Sequence, residues 1–420
     1  MSEPVGPATV SRPARTSLLR SPWAVPAVVA VAVTAAFVAP QLASAGDSGL
    51  PTITPEQLAV EVATSAPTPL SGTVVYTARL GLPELPFGEA TGADPIALLG
   101  GSSTLRVWTD GTERSRVALL GSMSEYSVVR DGAQAWTYSS ADDEVVHYSL
   151  SPADQARYDA MVAAAKAGQL PVTGDLPTPQ EAAHAALARA DQFSTVSMDA
   201  QTTVAGRSAY QLVVTPKSKA TLVSRIAVAV DATTKTPLRV QVWSTADTTT
   251  PALEVGFTDI SFATPDAAVL RFSAPAGASS REVVVPLPKA DDTQKPLAGA
   301  DGALPPDVKV SGSGWDTVVE LSGVDVTSLI AGDPKALADV PAAGRIIGSP
   351  QAQDLVGQFM RDKSNAASAG SLDATALYGQ LTTAVPEGRL LSSTLLSVLI
   401  TDDGRVLIGA VPADALREMA

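Results

Sequence analysis

The sequence predicts an α+β protein in which an antiparallel β-sheet is interrupted by two helices and followed by a small C-terminal α/β module. The turn dipeptides Asp110-Gly111 and Asp131-Gly132 each separate two segments rich in Val, Thr and aromatic residues, which is typical of β-hairpins. In residues 238–243, the aliphatic side chains at 238, 240 and 242 alternate with Arg239, Gln241 and Trp243, as expected of a strand with one face held out of water. Two capped segments with helical periodicity lie between the two groups of strands.

Composition excludes several classes of function. The 420 residues include 43 acidic and 29 basic side chains, for a net charge of −14. Nucleic acid is therefore not the main ligand, because phosphate binding needs clustered Lys and Arg. The chain has no cysteine, which excludes disulfides, thiolate metal sites, a cysteine nucleophile and a lipid-modified N-terminal cysteine.

The first 45 residues predict export from the cytoplasm. An apolar run over residues 23–39 precedes Ala43-Ser44-Ala45, which matches a small-x-small cleavage site. The basic residues before this run are Arg12, Arg15 and Arg20. We expect cleavage after Ala45 and an extracytoplasmic chain, either secreted or in the cell envelope. An uncleaved membrane anchor is the alternative.

The segment after the leader predicts a β-meander in which each strand pairs with its sequence neighbour. Its strand-like segments are residues 71–80, 105–109, 112–119, 126–130, 133–139 and 145–150. A helix follows from the Ser151 N-cap, with Tyr158, Met161, Val162 and Ala165 on one stripe. A second helix over residues 181–193 begins at the capping box Thr178-Pro179-Gln180-Glu181.

Strands then resume and lead to a linker and a second module. The later strand-like segments are residues 195–204, 208–215, 223–230, 238–243, 253–262 and 269–272. We assign residues 50–280 to the β-rich domain, 281–313 to a Pro/Gly/Ala-rich linker and 314–420 to the small module. The module is predicted to contain a strand over 315–321, a helix over 351–362 and a hairpin around Asp402-Asp403-Gly404.

The order of these segments resembles a known superfamily. The blocks that carry the resemblance are residues 126–138, 204–216, 225–240, 257–262 and 272–277. Together they are similar to the LolA-like outer-membrane lipoprotein carriers. That superfamily also includes periplasmic regulators of an envelope-stress sigma factor and actinobacterial lipid-binding lipoproteins.

The resemblance implies an incomplete β-barrel, a sheet curled around two or three helices with an apolar cavity between them. It also implies the carriage or sensing of acyl chains. The chain departs from the family in two respects. It lacks the N-terminal cysteine through which actinobacterial relatives are often anchored. The arginine that helps to latch the lid of the carriers has no matching position, and Arg106 and Arg116 are only nearby candidates.

Small Ala and Val side chains also favour a cavity, because over a large curved sheet they leave volume unfilled. Dense packing of the same residues is the alternative. We predict a ligand of lipid or acylated protein. The predicted cavity residues are Tyr76, Trp108, Trp136, Tyr138, Tyr158, Met161, Ile226, Val228, Leu238 and Val240.

No pattern in the sequence indicates a catalytic residue, a metal site or a cofactor. Gly46-Asp47-Ser48-Gly49 copies a serine-protease nucleophile string, but it directly follows the cleavage site. His147 and His184 each lie far from an Asp or Ser partner. We therefore predict a non-enzymatic carrier or sensor of a lipidic ligand. The alternative is a regulatory or interaction module that binds a membrane-protein partner.

Overall fold

A computed structural model describes residues 49–83, 93–167, 179–285, 287, 307–330 and 374–420. The predicted leader over residues 1–45 and the predicted helix over 351–362 lie outside these residues. The described chain forms one twelve-stranded sheet and one six-stranded sheet. No helix in this part of the chain combines the length and apolarity needed to cross a bilayer.

The large sheet consists of two meanders that meet at its first strand. Its strands are β1 (Leu70–Ala78), β2 (Gly101–Thr109), β3 (Arg114–Leu120), β4 (Glu125–Asp131), β5 (Gln134–Ser139), β6 (Glu144–Leu150), β7 (Ser194–Val204), β8 (Arg207–Pro216), β9 (Val223–Asp231), β10 (Pro237–Ser244), β11 (Leu253–Ser261) and β12 (Ser279–Val285). The spatial order is β12-β6-β5-β4-β3-β2-β1-β11-β10-β9-β8-β7. Because β12 and β7 are edges that do not pair with each other, the sheet is open, and the predicted unclosed α+β fold is confirmed.

Three helices accompany the large sheet: α1 (Pro55–Thr64), α2 (Pro152–Lys166) and α3 (Pro179–Phe193). The α1 helix is an addition to the predicted elements, although Thr54 and Gln57 form a capping box that sequence can reveal. Its buried Leu58 packs in a cluster with Tyr210 and Val230. The α1 and α3 helices contact each other and β7.

Two segments differ from the predicted strands. Residues 269–272 do not form a strand, because Asp266 turns the chain by accepting hydrogen bonds from the Ala268 and Val269 backbone amides. Trp315 lies in a 3₁₀ turn (Gly314–Asp316), and the strand begins only at Val318. The predicted linker over 281–313 also contains strand residues at both ends, from β12 and from β13 (Val308–Ser311).

The C-terminal module is a six-stranded sheet with order β13-β14-β18-β17-β16-β15. Its other elements are β14 (Val318–Leu321), α4 (Val326–Ile330), α5 (Ala374–Leu381), β15 (Thr383–Val385), β16 (Gly388–Ser392), β17 (Ser397–Thr401), β18 (Val406–Gly409) and α6 (Ala413–Arg417). The predicted hairpin around Asp402-Asp403-Gly404 is confirmed by the antiparallel pairing of β17 with β18.

The module packs on the large sheet through Trp315. This side chain is 9% exposed and shares a core cluster with Ile226, Val240 and Val242. Its indole Nε1 donates a hydrogen bond of 2.8 Å to Ser194 Oγ. Further hydrogen bonds join segments that flank the strands of the two sheets: the backbone amide of Leu222 donates to the Ala410 carbonyl at 2.7 Å, and that of Thr394 to the Leu80 carbonyl at 2.8 Å.

Replacing Trp315 is expected to undock the module. We expect Trp315→Ala to lower the free energy of unfolding by about 3–5 kcal/mol, because a buried indole is lost. Trp315→Phe keeps most of the packing and loses only the N–H donor, for about 1 kcal/mol. Urea denaturation measures both changes. Equal unfolding midpoints for wild type and Trp315→Ala would show that the module does not depend on this contact.

The turn after β9 is built on a buried carboxylate. Asp231 is 1% exposed and accepts hydrogen bonds of 2.5 and 3.0 Å from Arg207. It also accepts from the backbone amides of Thr233 and Thr234. Burial alone would raise the pKa of Asp231, but the hydrogen bonds from Arg207 and Thr234 hold it below its ordinary value. The ionised form therefore stabilises the folded state.

This lowered pKa predicts a loss of stability in acid. The contribution of Asp231 is fully present above its unfolded-state pKa of about 4 and is lost as the pH falls through the lower folded-state value. We expect Asp231→Asn to lower the free energy of unfolding by about 2 kcal/mol at pH 7. We also expect the stability of this variant to decline less steeply in acid than that of the wild type. Unfolding measured from pH 7 to 2 tests this, with the exposed Asp191→Asn as control. Parallel curves for wild type and Asp231→Asn would contradict it.

Candidate functional site

The predicted cavity residues of the large sheet lie on two different faces. Residues directly opposite each other on paired strands share a face. The register links Tyr76 to Val255, Val255 to Val240, and Val240 to Val228. We call this face A; it also carries Ile226, two residues from Val228.

The opposite face, which we call face B, carries the predicted aromatics of the first meander. Trp108 pairs with Arg116, Arg116 with Val129, and Val129 with Trp136. Tyr138 lies two residues from Trp136 on the same face. Tyr76 pairs with Ser103 of β2, so these two residues share a face. Trp108 lies five residues after Ser103 in the same strand, and the pairing of β1 with β2 has no register shift. Because successive side chains of a strand alternate between faces, Trp108 lies on the face opposite Tyr76. The ten predicted residues therefore do not line one surface.

Much of the second meander's part of face A is covered by the chain itself. Ile226 and Val240 pack against Trp315 of the C-terminal module, and Val228 contacts both this cluster and that of α1. Leu238, at an irregularity in the pairing of β10 with β9, is fully buried in another cluster that contains Val74. Tyr76 is half-buried beside that cluster, and burial raises the pKa of its phenol.

The aromatic side chains of face B are held by their neighbours. Trp108 has the guanidinium of Arg106 over its ring at 5.0 Å and that of Arg116 at 6.0 Å. Trp136 stacks between His147 at 4.8 Å and Phe272 at 5.6 Å. The Tyr138 hydroxyl donates to Asp143 at 3.4 Å.

A cleft of about 430 Å³ lies between α2 and the hairpin turns of the first meander. None of the described side chains of α2 is buried, so the helix does not pack tightly on the sheet. Tyr158 lines the cleft, whereas Met161 is 53% exposed and is not part of the lining. The lining residues are Glu113, Asp131, Gly132, Ala133, Gln134, Gln155, Tyr158, Asp159, Val162 and Ala163.

The cleft is amphipathic and acidic. Ala133, Tyr158 and Val162 supply apolar surface, and the carboxylates come from Glu113, Asp131 and Asp159. No basic residue is among its lining residues. Such a site disfavours an anionic group and accepts neutral or cationic polar groups next to apolar ones.

The described residues contain no group of three or more His, Asp or Glu placed to hold a metal ion. His147 is stacked on Trp136, with its Nδ1 3.7 Å from Glu282. His184 is exposed on α3.

The fold and the cleft define a class: an open-sheet α+β protein with a ligand-sized cleft under one helix. No family model matches the sequence, and no curated protein matches it. Solved structures similar to the chain include MucB, at 17% identity, with a TM-score of 0.35, covering 87% of this chain and 95% of MucB. The MucA/MucB complex of Pseudomonas aeruginosa matches at 16% identity, with a TM-score of 0.37, covering 86% of this chain and 94% of that one.

A LolA superfamily protein from Nitrosomonas europaea is also similar, at 11% identity, with a TM-score of 0.19, covering 53% of this chain and 99% of that one. The superfamily that the sequence blocks resemble is thus represented among these similar structures. At these identities and TM-scores the matches carry no argument about function, which must come from the chain's own residues.

One buried polar pair on face B is an addition to the predicted site residues. Arg239 is 9% exposed and Glu254 is 5% exposed. The Arg239 Nη2 lies 3.5 Å from both Thr202 Oγ1 and Gln211 Oε1. Burial lowers the pKa of Arg239, and the Glu254 carboxylate partly opposes this. An arginine between two apolar residues of a strand, here Leu238 and Val240, is the sequence signal for such a site.

A glycine makes room for this arginine. A Cβ at Gly256, directly opposite Arg239 in the ladder, would come within 2.5 Å of Arg239 Cγ. The stem of Arg239 therefore lies close over the β11 backbone at Gly256, and its guanidinium is buried beside Thr202 and Gln211.

Removing only one member of this pair is expected to leave an uncompensated buried charge. We expect Arg239→Met to lower the free energy of unfolding by about 3 kcal/mol, and Glu254→Gln in the same chain to restore more than half of it. A double-mutant cycle by urea denaturation measures the coupling. The exposed Arg225→Met is the control. Additive effects would show that the two side chains do not interact.

Proposed function

We propose that the chain is an exported, non-enzymatic protein of the cell envelope that binds an acyl-bearing ligand, a lipid or an acylated protein, in the α2 cleft. The observation that carries the proposal is the cleft itself, a space of about 430 Å³ beneath a helix that buries none of its described side chains. The predicted leader over residues 1–45 supports export.

The size of the cleft suits part of an amphiphile. Ligand sites commonly enclose about 300–1,000 Å³. Each buried methylene contributes about 0.8 kcal/mol, so eight methylenes supply about 6 kcal/mol before the costs of association. Tyr158 and Val162, one turn apart on α2, would contact the hydrocarbon.

The polar residues of the lining restrict which polar group the ligand can carry next to its hydrocarbon. Gln155 donates a hydrogen bond of 2.8 Å to Asp159 from the same helix, so the amide and the carboxylate already form one polar patch. Together with Glu113 and Asp131, this patch favours a neutral ester or amide, or a cationic group. A phosphate would meet carboxylates with no compensating cation in the lining.

The cleft can be tested on α2 with two variants of matched chemistry. We expect Val162→Asp to weaken binding of a fluorescent acyl methyl ester at least ten-fold, because it places a charge on the hydrocarbon-contacting side. Met161→Asp adds the same charge at an exposed position and should leave binding unchanged. The free acid should bind more weakly than the ester.

The same protein should carry ligand when it is purified. Organic extraction followed by mass spectrometry should recover an acyl-bearing molecule from the wild type and less from Val162→Asp. A chain that carries no lipid and does not bind the ester rules the proposal out, as would equal losses in the two variants.

The alternative is an interaction module that binds a membrane-protein partner. One observation favours it: Trp315 and its module already occupy apolar surface on face A that an acyl chain would otherwise use. Recovery of a defined membrane protein with the full chain, with no lipid in the extract, would support this alternative.

A further inference from the structure

One edge of the large sheet is formed by a strand that does not belong to either meander. The β12 strand pairs with β6 in parallel over seven residues, from Ser279 opposite Glu144 to Val285 opposite Leu150. The other strand pairs of the described sheets are antiparallel. The chain reaches this edge only after residues 262–278, which contribute no strand.

Few side chains hold β12 in place. Val283 is its only buried residue, whereas Val284 is 54% exposed. A parallel ladder is slightly less stable per residue than an antiparallel one. The strand therefore depends mainly on its backbone hydrogen bonds, which another extended chain can supply equally well.

The polar contacts of β12 differ in exposure, from an Arg281 side chain that is 24% exposed to a Glu282 side chain that faces solvent. Arg281 Nε lies 3.4 Å from Glu144 Oε1. Glu282, with a side chain 67% exposed, lies 3.7 Å from His147 Nδ1 and accepts a hydrogen bond of 3.3 Å from Ser149. The exposed Glu282 contacts contribute little to stability, and the order of the charges along the strand selects its register.

The strand that pairs with β12, β6, is more deeply buried than β12. Val145 and Val146 of β6 are 2% and 6% exposed, and β6 is otherwise paired with β5. If β12 leaves, the outer backbone groups of β6 lose their partners and become a template for strand addition. Covering this edge is therefore necessary, whereas covering it with β12 in particular is not.

We propose that the outer edge of β6 is a strand-addition site at which an extended segment of a partner protein replaces β12. The contacts of β12 define what such a segment carries. A β-branched apolar residue takes the position of Val283, opposite Tyr148. A carboxylate precedes it, near His147 and Ser149, and a cation comes one residue earlier, near Glu144.

The exchange also reaches α2. The Leu287 carbonyl, just after β12, accepts a hydrogen bond of 3.3 Å from Arg157 on this helix. Departure of β12 removes that contact from the helix that covers the cleft. The strand-addition site nevertheless stands on the β6 edge alone, whatever the cleft binds.

Peptide binding and engineered disulfides can test the proposal in the full-length protein, because the chain has no cysteine of its own that could react. A labelled peptide with the sequence of residues 279–285 serves as the probe. It should bind the wild type saturably, and Val283→Asp, which weakens the internal strand, should bind it at least ten-fold more tightly. A peptide with Asp in place of its own Val283 equivalent is the matched control and should not bind.

A disulfide supplies the opposite perturbation. Val285→Cys with Leu150→Cys, opposite each other in the ladder, should close β12 on oxidation and abolish peptide binding, and reduction should restore it. Equal binding by the oxidised and reduced forms would overturn the proposal. So would a concentration-dependent dimer that the peptide does not dissociate, because the edge would then belong to a second copy.

Hydrogen exchange tests the wild type without any substitution. The amides of β12 should exchange at least ten-fold faster than those of β1 in the sheet centre, because β12 opens without global unfolding. Equal protection of β12 and β1 would overturn the proposal, even if a variant fails to fold.

Discussion

The double pairing of β1 is the constraint on which the rest of the structure depends. This one strand pairs with β2 on one side and with β11, far along the chain, on the other. The contact is close: a Cβ at Gly72 would come within 2.5 Å of the Asp259 carbonyl oxygen and 2.7 Å of the Phe257 ring. A glycine is needed there, next to the register shift after Thr73. Without this junction the two meanders would be separate sheets.

The joined meanders form one sheet whose two faces are covered by different parts of the chain. On face A, the second meander is covered by α1 and by the Trp315 cluster of the C-terminal module. On face B, aromatic side chains are held by arginines, by His147 and by Phe272. Beneath α2 a cleft remains open. The sites proposed for a ligand and for a partner strand therefore both involve the first meander.

Much of the local structure could be predicted because short-range chemistry determines it. Asp131-Gly132 forms a tight turn with Gly132 at φ +58°, and the Ser151 hydroxyl caps α2 by accepting from the Asp154 amide. The strand at Ser279–Val285 is missed because the chain around it, residues 274–313, is rich in Pro, Gly, Ala and Asp and predicts a linker. The three valines at 283–285 favour a strand locally, but the sequence does not indicate that β6 is the partner.

The candidate site also combines features that the sequence predicts with features that only the tertiary structure determines. Sequence alone predicted that Ile226 and Val228 share the apolar side of one strand and that Val240 lies on the apolar side of another, because alternation along a strand sets which side chains share a side. It also determined that Tyr158 and Val162 share one side of a helix. Only the tertiary structure decided that Trp315 covers the first group, whereas the second lines an open cleft. The reason is physical: periodicity specifies which residues must leave water, but the surface that covers them comes from residues distant in sequence.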